Sequence, residues 1–368
     1  MITVLKPGTY TTIQDIGRTG YQDIGVPVCG AVDKFSLRAA NLLLGNDENA
    51  PALEVTIFGP KLKFNKDTLI AITGGDLTPS IDDVSVDNWT PILVSKGSIL
   101  SFSGPSSGLR SYIAFAGGIS EESIDYVMGS YSTYVSGGFG GVSGRKLIEG
   151  DILQVNYQAV TDYESVTSIT FDNPPTFDSE CVLRILLGPQ DKSFSEDSIN
   201  VLTQNEYILS LDSDSVGIKL DGELLVHKGA PDVISEGTAF GAIQVPGDGL
   251  PIILMSNRGT AGGYPKIATV INADHSKLAQ LMPGNKIRFS LVTYEEAVEE
   301  FRVQEKSLDS LRGTQLKVLP TKITASDLLV SVTDENGKEL LNTLNPQVSI
   351  AEVRFGERVE EIRIEISD

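Results

Sequence analysis

Glycine and proline interrupt this chain so regularly that a fold built from long helices is closed to it. The 368 residues include 36 glycines and 17 prolines, spread along the whole length. Between them lie short apolar runs such as "LEVTIFGP", "LIAITGGD" and "PILVSKG". Runs of this length, bounded by turn residues, are strands that barrels and sandwiches accommodate. The spacing therefore predicts a mainly β protein with a few short helices.

"ITVLKPGTYTTIQDIG" reads as strand, turn, strand about Pro7-Gly8. In "DKFSLRAANLLLGN", Phe35, Ala39, Leu42 and Leu43 share a helical face, with Asp33 as N-cap and Gly45 closing the C-terminus. "GSYSTYVSGGFGGVSGRKLIEGDIL" is a long Gly/Ser-rich loop, of a length that compact chains reserve for function. A hydrophilic stretch then leads to Pro174-Pro175, which divides two β-rich blocks, residues 1–160 and 175–305. The second block adds short helices at "SFSEDSINVLTQN" and "DHSKLAQLMPG" and a charged amphipathic one in "TYEEAVEEFRVQEKSLDSL". The similar rhythm of the blocks suggests an internal duplication. Residues 312–368 read as a small β appendage with a hairpin about Asn336-Gly337.

The formal net charge of −20 repels nucleic acid and anionic membrane surfaces, so neither is expected as a partner. An anionic ligand would need cations gathered locally against that background. Two cysteines far apart, Cys29 and Cys181, suit free thiols in a reducing compartment. Two histidines, His227 and His275, do not make a zinc site, and no metal is expected. The opening "MITVLKPGTY" has no signal-peptide pattern, and no apolar stretch approaches the roughly 20 residues of a membrane helix. A cytoplasmic location is expected.

Two segments concentrate chemistry. "NRGTAGGYPKIATVI" sets Gly259, Gly262 and Gly263 before Tyr264, Pro265 and Lys266. It fails as a Walker A loop, because proline removes a donor, the lysine is displaced and a strand-like run follows. It remains either a tight turn or a ligand loop flanked by Arg258, Tyr264 and Lys266. The second segment, "TIQDIGRTGYQDIGVPVCGAVDKFSLRAAN", crowds Gln14, Asp15, Arg18, Asp33, Ser36, Arg38 and Asn41 beside buried strands, as a pocket wall would. "LGPQDKSF", with Gln190 and Asp191, reads as an ordinary turn, and His227 as a packed or solvated side chain.

These segments, with "LRSYIAFAGGI", "LRILLGPQDKSF", "SEGTAFGAIQVPGDGLPIILMSN" and "LAQLMPGNKIRF", resemble the biotin-dependent carboxyltransferase family. That family includes the C subunit of 5-oxoprolinase, the KipA antagonist, the protein once called allophanate hydrolase subunit 2, and the carboxyltransferase domain of urea amidolyase. The resemblance runs from the start to about residue 300 and leaves out the tail. It implies two cyclophilin-like β-barrel domains, and a partner like KipI or the B subunit of 5-oxoprolinase, with the A subunit for full activity. The implied activity is ATP-dependent hydrolysis of 5-oxoproline or a related small cyclic amide, with ATP held on this chain or on a partner. On that reading Lys266, Asp15 and Asp33 are the catalytic candidates. Gln14, Arg18, Ser36, Arg38, Asn41, Arg258, Gly262, Gly263 and Tyr264 are the substrate-binding ones. Two other roles are open: a KipA-like regulator that sequesters a kinase inhibitor, and carboxyl transfer from carboxybiotin to a small amide or urea. The chain has no biotin-acceptor Met-Lys-Met segment, so biotin would arrive on another protein.

The chain departs from the family pattern at "SDSVGIKL", where Ser215 and Lys219 replace arginines, and at "NRGT", where Asn257 and Gly259 replace aspartate and glutamine. Loss of arginine forks weakens bidentate anion binding.

Overall fold

The computed structural model describes residues 1–156, 170–172 and 174–312 in full, and the backbone of short strands at 159–160, 318–319, 332–333, 339–340, 350–355 and 358–363. The fold is mainly β. In the first block a five-stranded sheet runs in the order Tyr10–Gln14, Ala52–Thr56, Ser107–Phe115, Thr68–Asp76, Pro91–Val94. A six-stranded sheet runs Ile152–Leu153, Ile2–Lys6, Lys61–Phe64, Ile99–Phe102, Pro79–Ile81, Val84–Ser85. The first two strands of the chain therefore do not pair as a hairpin. The Pro7-Gly8 turn carries the chain from one sheet to the other, and each strand finds its partners far away in sequence.

The two sheets close over one apolar core, in which Ile2, Val4, Leu62, Phe64 and Leu100 meet Ile13, Leu53, Val55, Ile70 and Ile113. The opposite face of the five-stranded sheet is covered by helix Lys34–Leu43 through Leu37, Ala40 and Leu43 against Leu69, Ala71 and Tyr112. A sheet buried on both faces needs no polar alternation. That is why "TLIAITGG" is buried at every position.

The second block is a closed seven-stranded barrel, in the order Glu180–Leu187, Lys266–Val270, Ala242–Gln244, Ile252–Leu254, Gly217–Asp221, Tyr207–Leu209, Lys286–Leu291. Its one parallel contact, Glu180–Leu187 beside Lys286–Leu291, closes the ring. Helices Glu196–Gln204, His275–Ala279 and Tyr294–Asp309 form where the sequence predicts them. The last opens on a capping box of Thr293 and Glu296, each satisfying the other's backbone N–H.

The blocks share packing as well as a chain. Val32 of the first joins the barrel core beside Leu278 and Val270. Residues 1–319 form one compact unit that contains both blocks, and residues 320–368 form a second. In the second unit Val332–Thr333 pairs with Glu339–Leu340, and Ile350–Phe355 with Arg358–Arg363. The turn expected at Asn336-Gly337 lies outside the described residues.

Candidate functional site

The seam between the blocks collects the polar side chains that the sequence singles out, and it sorts them by what they hold. Asp15 is buried, and both its oxygens are engaged. Oδ1 accepts from Gly17 N (2.7 Å), Ser130 Oγ (2.7 Å) and Ser132 Oγ (2.5 Å), and Oδ2 from Tyr131 N (2.7 Å). The carboxylate thus pins the Gly/Ser-rich loop to the end of strand Tyr10–Gln14. Arg18, 1% exposed, donates from Nη2 to Ser132 O (2.5 Å) and lies 4.9 Å over the Phe139 ring. Its buried Nη1 has no acceptor among the described residues. Gly140 lets the loop pass this close: it sits at φ 76°, and a Cβ there would collide with Ser132 O. Cys29, buried and at φ 55°, lies beside Arg18 and Arg258. Burial pushes its thiol up to about 11 against the pull of both cations.

Asp33 is the expected N-cap, accepting from Ser36 N (3.1 Å), but it does more. Its Oδ2 also accepts from Ser36 Oγ (2.7 Å), Ser276 Oγ (2.9 Å) and Gln280 Nε2 (2.9 Å), which ties the first helix to the barrel block. Gln280 continues the joint by accepting from the backbone N–H groups of Leu109 and Arg110. Behind Asp33, the buried Glu54 accepts from Tyr112 Oη (2.7 Å) and Val32 N (2.9 Å), and burial raises its pKa.

The barrel contributes the glycine loop. Residues 261–262 pair with 236–237, Thr238 N donates to Thr260 O, and Val233 N donates to Gly263 O, so the loop is one side of a two-stranded ribbon. Arg258 at its base donates to Thr238 O (3.3 Å) and Met255 O (3.1 Å) and has no ion pair among the described residues. Desolvation lowers its pKa. At the ribbon's other end Lys266 is buried, with Nζ 2.5 Å from Glu236 Oε1 and no further acceptor among the described residues. Gln190 locks this pair. Its Nε2 donates to Glu236 Oε1 (2.5 Å) and its Oε1 accepts from Lys266 N (3.0 Å). The Lys266 contact, then that of Gln190, pulls the Glu236 carboxyl below its ordinary range. Tyr264, 42% exposed, stands on the ribbon, while Gly262 lies against the Gln244 amide.

The seam thus joins Arg18, Asp15 and Asp33 to the Arg258 loop, while other candidates turn away from it. Arg38 is a clamp: it bonds both oxygens of Glu305 (2.6 and 2.8 Å) and Glu48 Oε2 (2.9 Å), leaving no fork for a substrate. Asn41 donates to Ala50 O, Ser36 donates to Asp33, and Gln14 donates to Thr12 and Thr133. Asp15 and Asp33, offered for acid–base work, hold loops and helices instead, because internal donors occupy them. Sequence reasoning alone passes over Glu236 and Gln190, which hold Lys266. The Gly-Pro corner before Gln190 carries no signal of the lysine it faces.

The departures prove to be neighbours. Asn257 Nδ2 donates to Ser215 Oγ at 2.8 Å, so where the resemblance implies arginine and aspartate the chain has a neutral hydrogen-bonded pair. Lys219 lies exposed on the barrel wall.

A two-sheet block bonded through a buried polar seam to a closed seven-stranded barrel defines a mainly β protein of two fused β blocks. Residues 24–291 match the carboxyltransferase domain, subdomain A and B, and the chain belongs to that family. It is 36% identical over 313 residues to the C subunit of 5-oxoprolinase from Escherichia coli (strain K12), covering 84% of this chain and 97% of that one. It is 32% identical over 344 residues to urea amidolyase of Lachancea kluyveri, covering 87% of this chain but 18% of that enzyme. The crystal structure of the K. lactis urea amidolyase superposes with a TM-score of 0.75 at 28% identity, over 99% of this chain and 22% of that one.

Proposed function

We propose that this chain is one component of a 5-oxoprolinase-type complex that opens 5-oxoproline, or a close cyclic amide, at the expense of ATP. The observation that carries the reading is the likeness over 97% of the length of a protein named as the 5-oxoprolinase C subunit. The seam supports it, because in an acidic chain Arg258 makes no ion pair among the described residues, which leaves its charge for an anionic lactam.

The lactam is resonance-stabilised. Transfer of the γ-phosphoryl group to its oxygen releases ADP and creates a leaving group. Water then adds to the ring carbon, the C–N bond opens with a proton to nitrogen to leave a γ-acyl phosphate, and a second water displaces phosphate from it, giving glutamate. Arg258, with Arg18 behind it, stabilises the negative charge on the substrate, and Lys266, oriented by Glu236 and Gln190, is the catalytic cation. The backbone pairing of the glycine loop makes it a poor phosphate cradle, which supports a partner protein as the seat of ATP. On the carboxyl-transfer reading, biotin would come on another protein.

The test is to co-express this chain with A and B subunits of 5-oxoprolinase and to follow glutamate formation from 5-oxoproline with ATP. Production by the complex, lost without ATP, supports the proposal. A stable complex that makes no glutamate overturns it in favour of a regulatory binding protein.

A further inference from the structure

We infer that Gln190 and Lys266 form a two-donor seat for the carbonyl oxygen of the substrate's amide, and that Glu236 fills this seat in the empty protein. This rests on the reading that the seam binds a small cyclic amide. It adds a residue that touches the substrate, Gln190, and names the oxygen that the Lys266 ammonium takes.

The seat is visible in its present occupant. Glu236 Oε1 accepts from Lys266 Nζ at 2.5 Å and from Gln190 Nε2 at 2.5 Å, so two donors converge on one oxygen. Oε2 has no hydrogen bond among the described residues. Elsewhere in this chain a carboxylate that is gripped for structure is held by both its oxygens, as Arg38 holds Glu305 and Arg184 holds Asp274. Donors that meet on a single oxygen are instead the arrangement that holds a carbonyl while negative charge gathers on it.

The donors are fixed and the occupant is not. Gln190 Oε1 accepts from Lys266 N (3.0 Å), and Gln190 N donates to Lys266 O (3.3 Å), so Gln190 is bonded on two sides to the backbone of the lysine it accompanies. Gly188 permits this approach, because a Cβ there would lie 2.2 Å from Lys266 O. Lys266 itself stands in barrel strand Lys266–Val270, opposite Gln244, and is 4% exposed. Glu236 belongs to the two-residue strand Glu236–Gly237 of the ribbon, and its side chain is 44% exposed. Moving it into water restores the hydration of a carboxylate, whereas the ammonium behind it stays buried and needs an oxygen. Nζ has no second acceptor among the described residues, so a carbonyl that replaces Oε1 inherits both donors. Glu236 is a stand-in that compensates the buried ammonium until an amide oxygen arrives.

Isotope-edited infrared spectroscopy reads the seat in the reconstituted complex without ATP, using 5-oxoproline that carries carbon-13 at the lactam carbonyl. Two donors, one of them charged, draw electrons toward the oxygen, so the bound carbonyl band should fall below that of free 5-oxoproline in water. Gln190→Leu should return part of that shift, and Lys266→Met most of it. Glu236→Gln keeps the shape but removes the charge that holds the stand-in, and should tighten 5-oxoproline binding about tenfold by calorimetry. A purely structural Glu236 predicts the reverse, since loss of the ion pair would loosen Lys266. An unshifted lactam band in the wild type overturns the inference, as does a shift confined to 5-oxoproline labelled in its carboxylate. A full shift in Gln190→Leu, or weaker or unchanged binding by Glu236→Gln, also overturns it. The wild-type band carries the test where a variant does not fold. Turnover separates this from the functional proposal. A complex that opens 5-oxoproline with an unshifted band sinks the seat alone. A shifted band without glutamate formation sinks the reaction and leaves the seat standing.

Discussion

Asp33 shows how a residue can be found correctly in the sequence and misread in its role. Its N-cap position is legible from "VDKFSL", because capping is a local interaction over three residues. Its bonds to Ser276 and Gln280 are not legible, because they span 243 and 247 residues. Asp33→Ala strands those buried donors, and urea denaturation should show a loss of about 3–5 kcal/mol. His275 makes a pH prediction. Its folded pKa of about 4 lies below the ordinary 6.5, so between these values the unfolded chain binds the extra proton. Stability from this group is therefore present above pH 6.5 and lost as pH falls toward 4. Against His275→Phe, the wild type should lose relative stability across that window in denaturation curves, and a constant difference would contradict the assignment. The Asn257–Ser215 contact teaches the same lesson, since two departures far apart in sequence are one exchange in space.

At the scale of elements, local pattern goes furthest. The strand runs, the helix from Lys34 and the capped helix from Tyr294 all follow from periodicity and turn residues. Pairing does not, because the choice that sends Ile2–Lys6 and Tyr10–Gln14 to different sheets depends on contacts distant in sequence. Arg38 belongs to this scale. It joins the first helix to helix Tyr294–Asp309 through Glu305, within a network that includes Glu48 and Arg312. Because that network is partly solvent-exposed, Arg38→Ala should cost about 1 kcal/mol and leave the KM for substrate unchanged. A large KM increase would return Arg38 to the binding site. The sheet core is less forgiving, and Leu53→Ala, fully buried there, should cost about 2–5 kcal/mol in the same denaturation assay.

For the whole molecule, the division falls at Leu319 and the family match ends at residue 291. A chain ending at Leu319 should therefore unfold cooperatively with a melting temperature within a few degrees of the full chain. Loss of the cooperative transition would show that residues 320–368 complete the first unit. The measurement that tests this account most directly is 5-oxoproline-dependent phosphate release from ATP by the reconstituted complex, comparing wild type with Arg258→Gln at equal complex content. The account predicts lactam-dependent release by wild type and at least a tenfold drop in kcat/KM, about 1.4 kcal/mol, in the variant. Equal rates in both would contradict a seam-bound substrate.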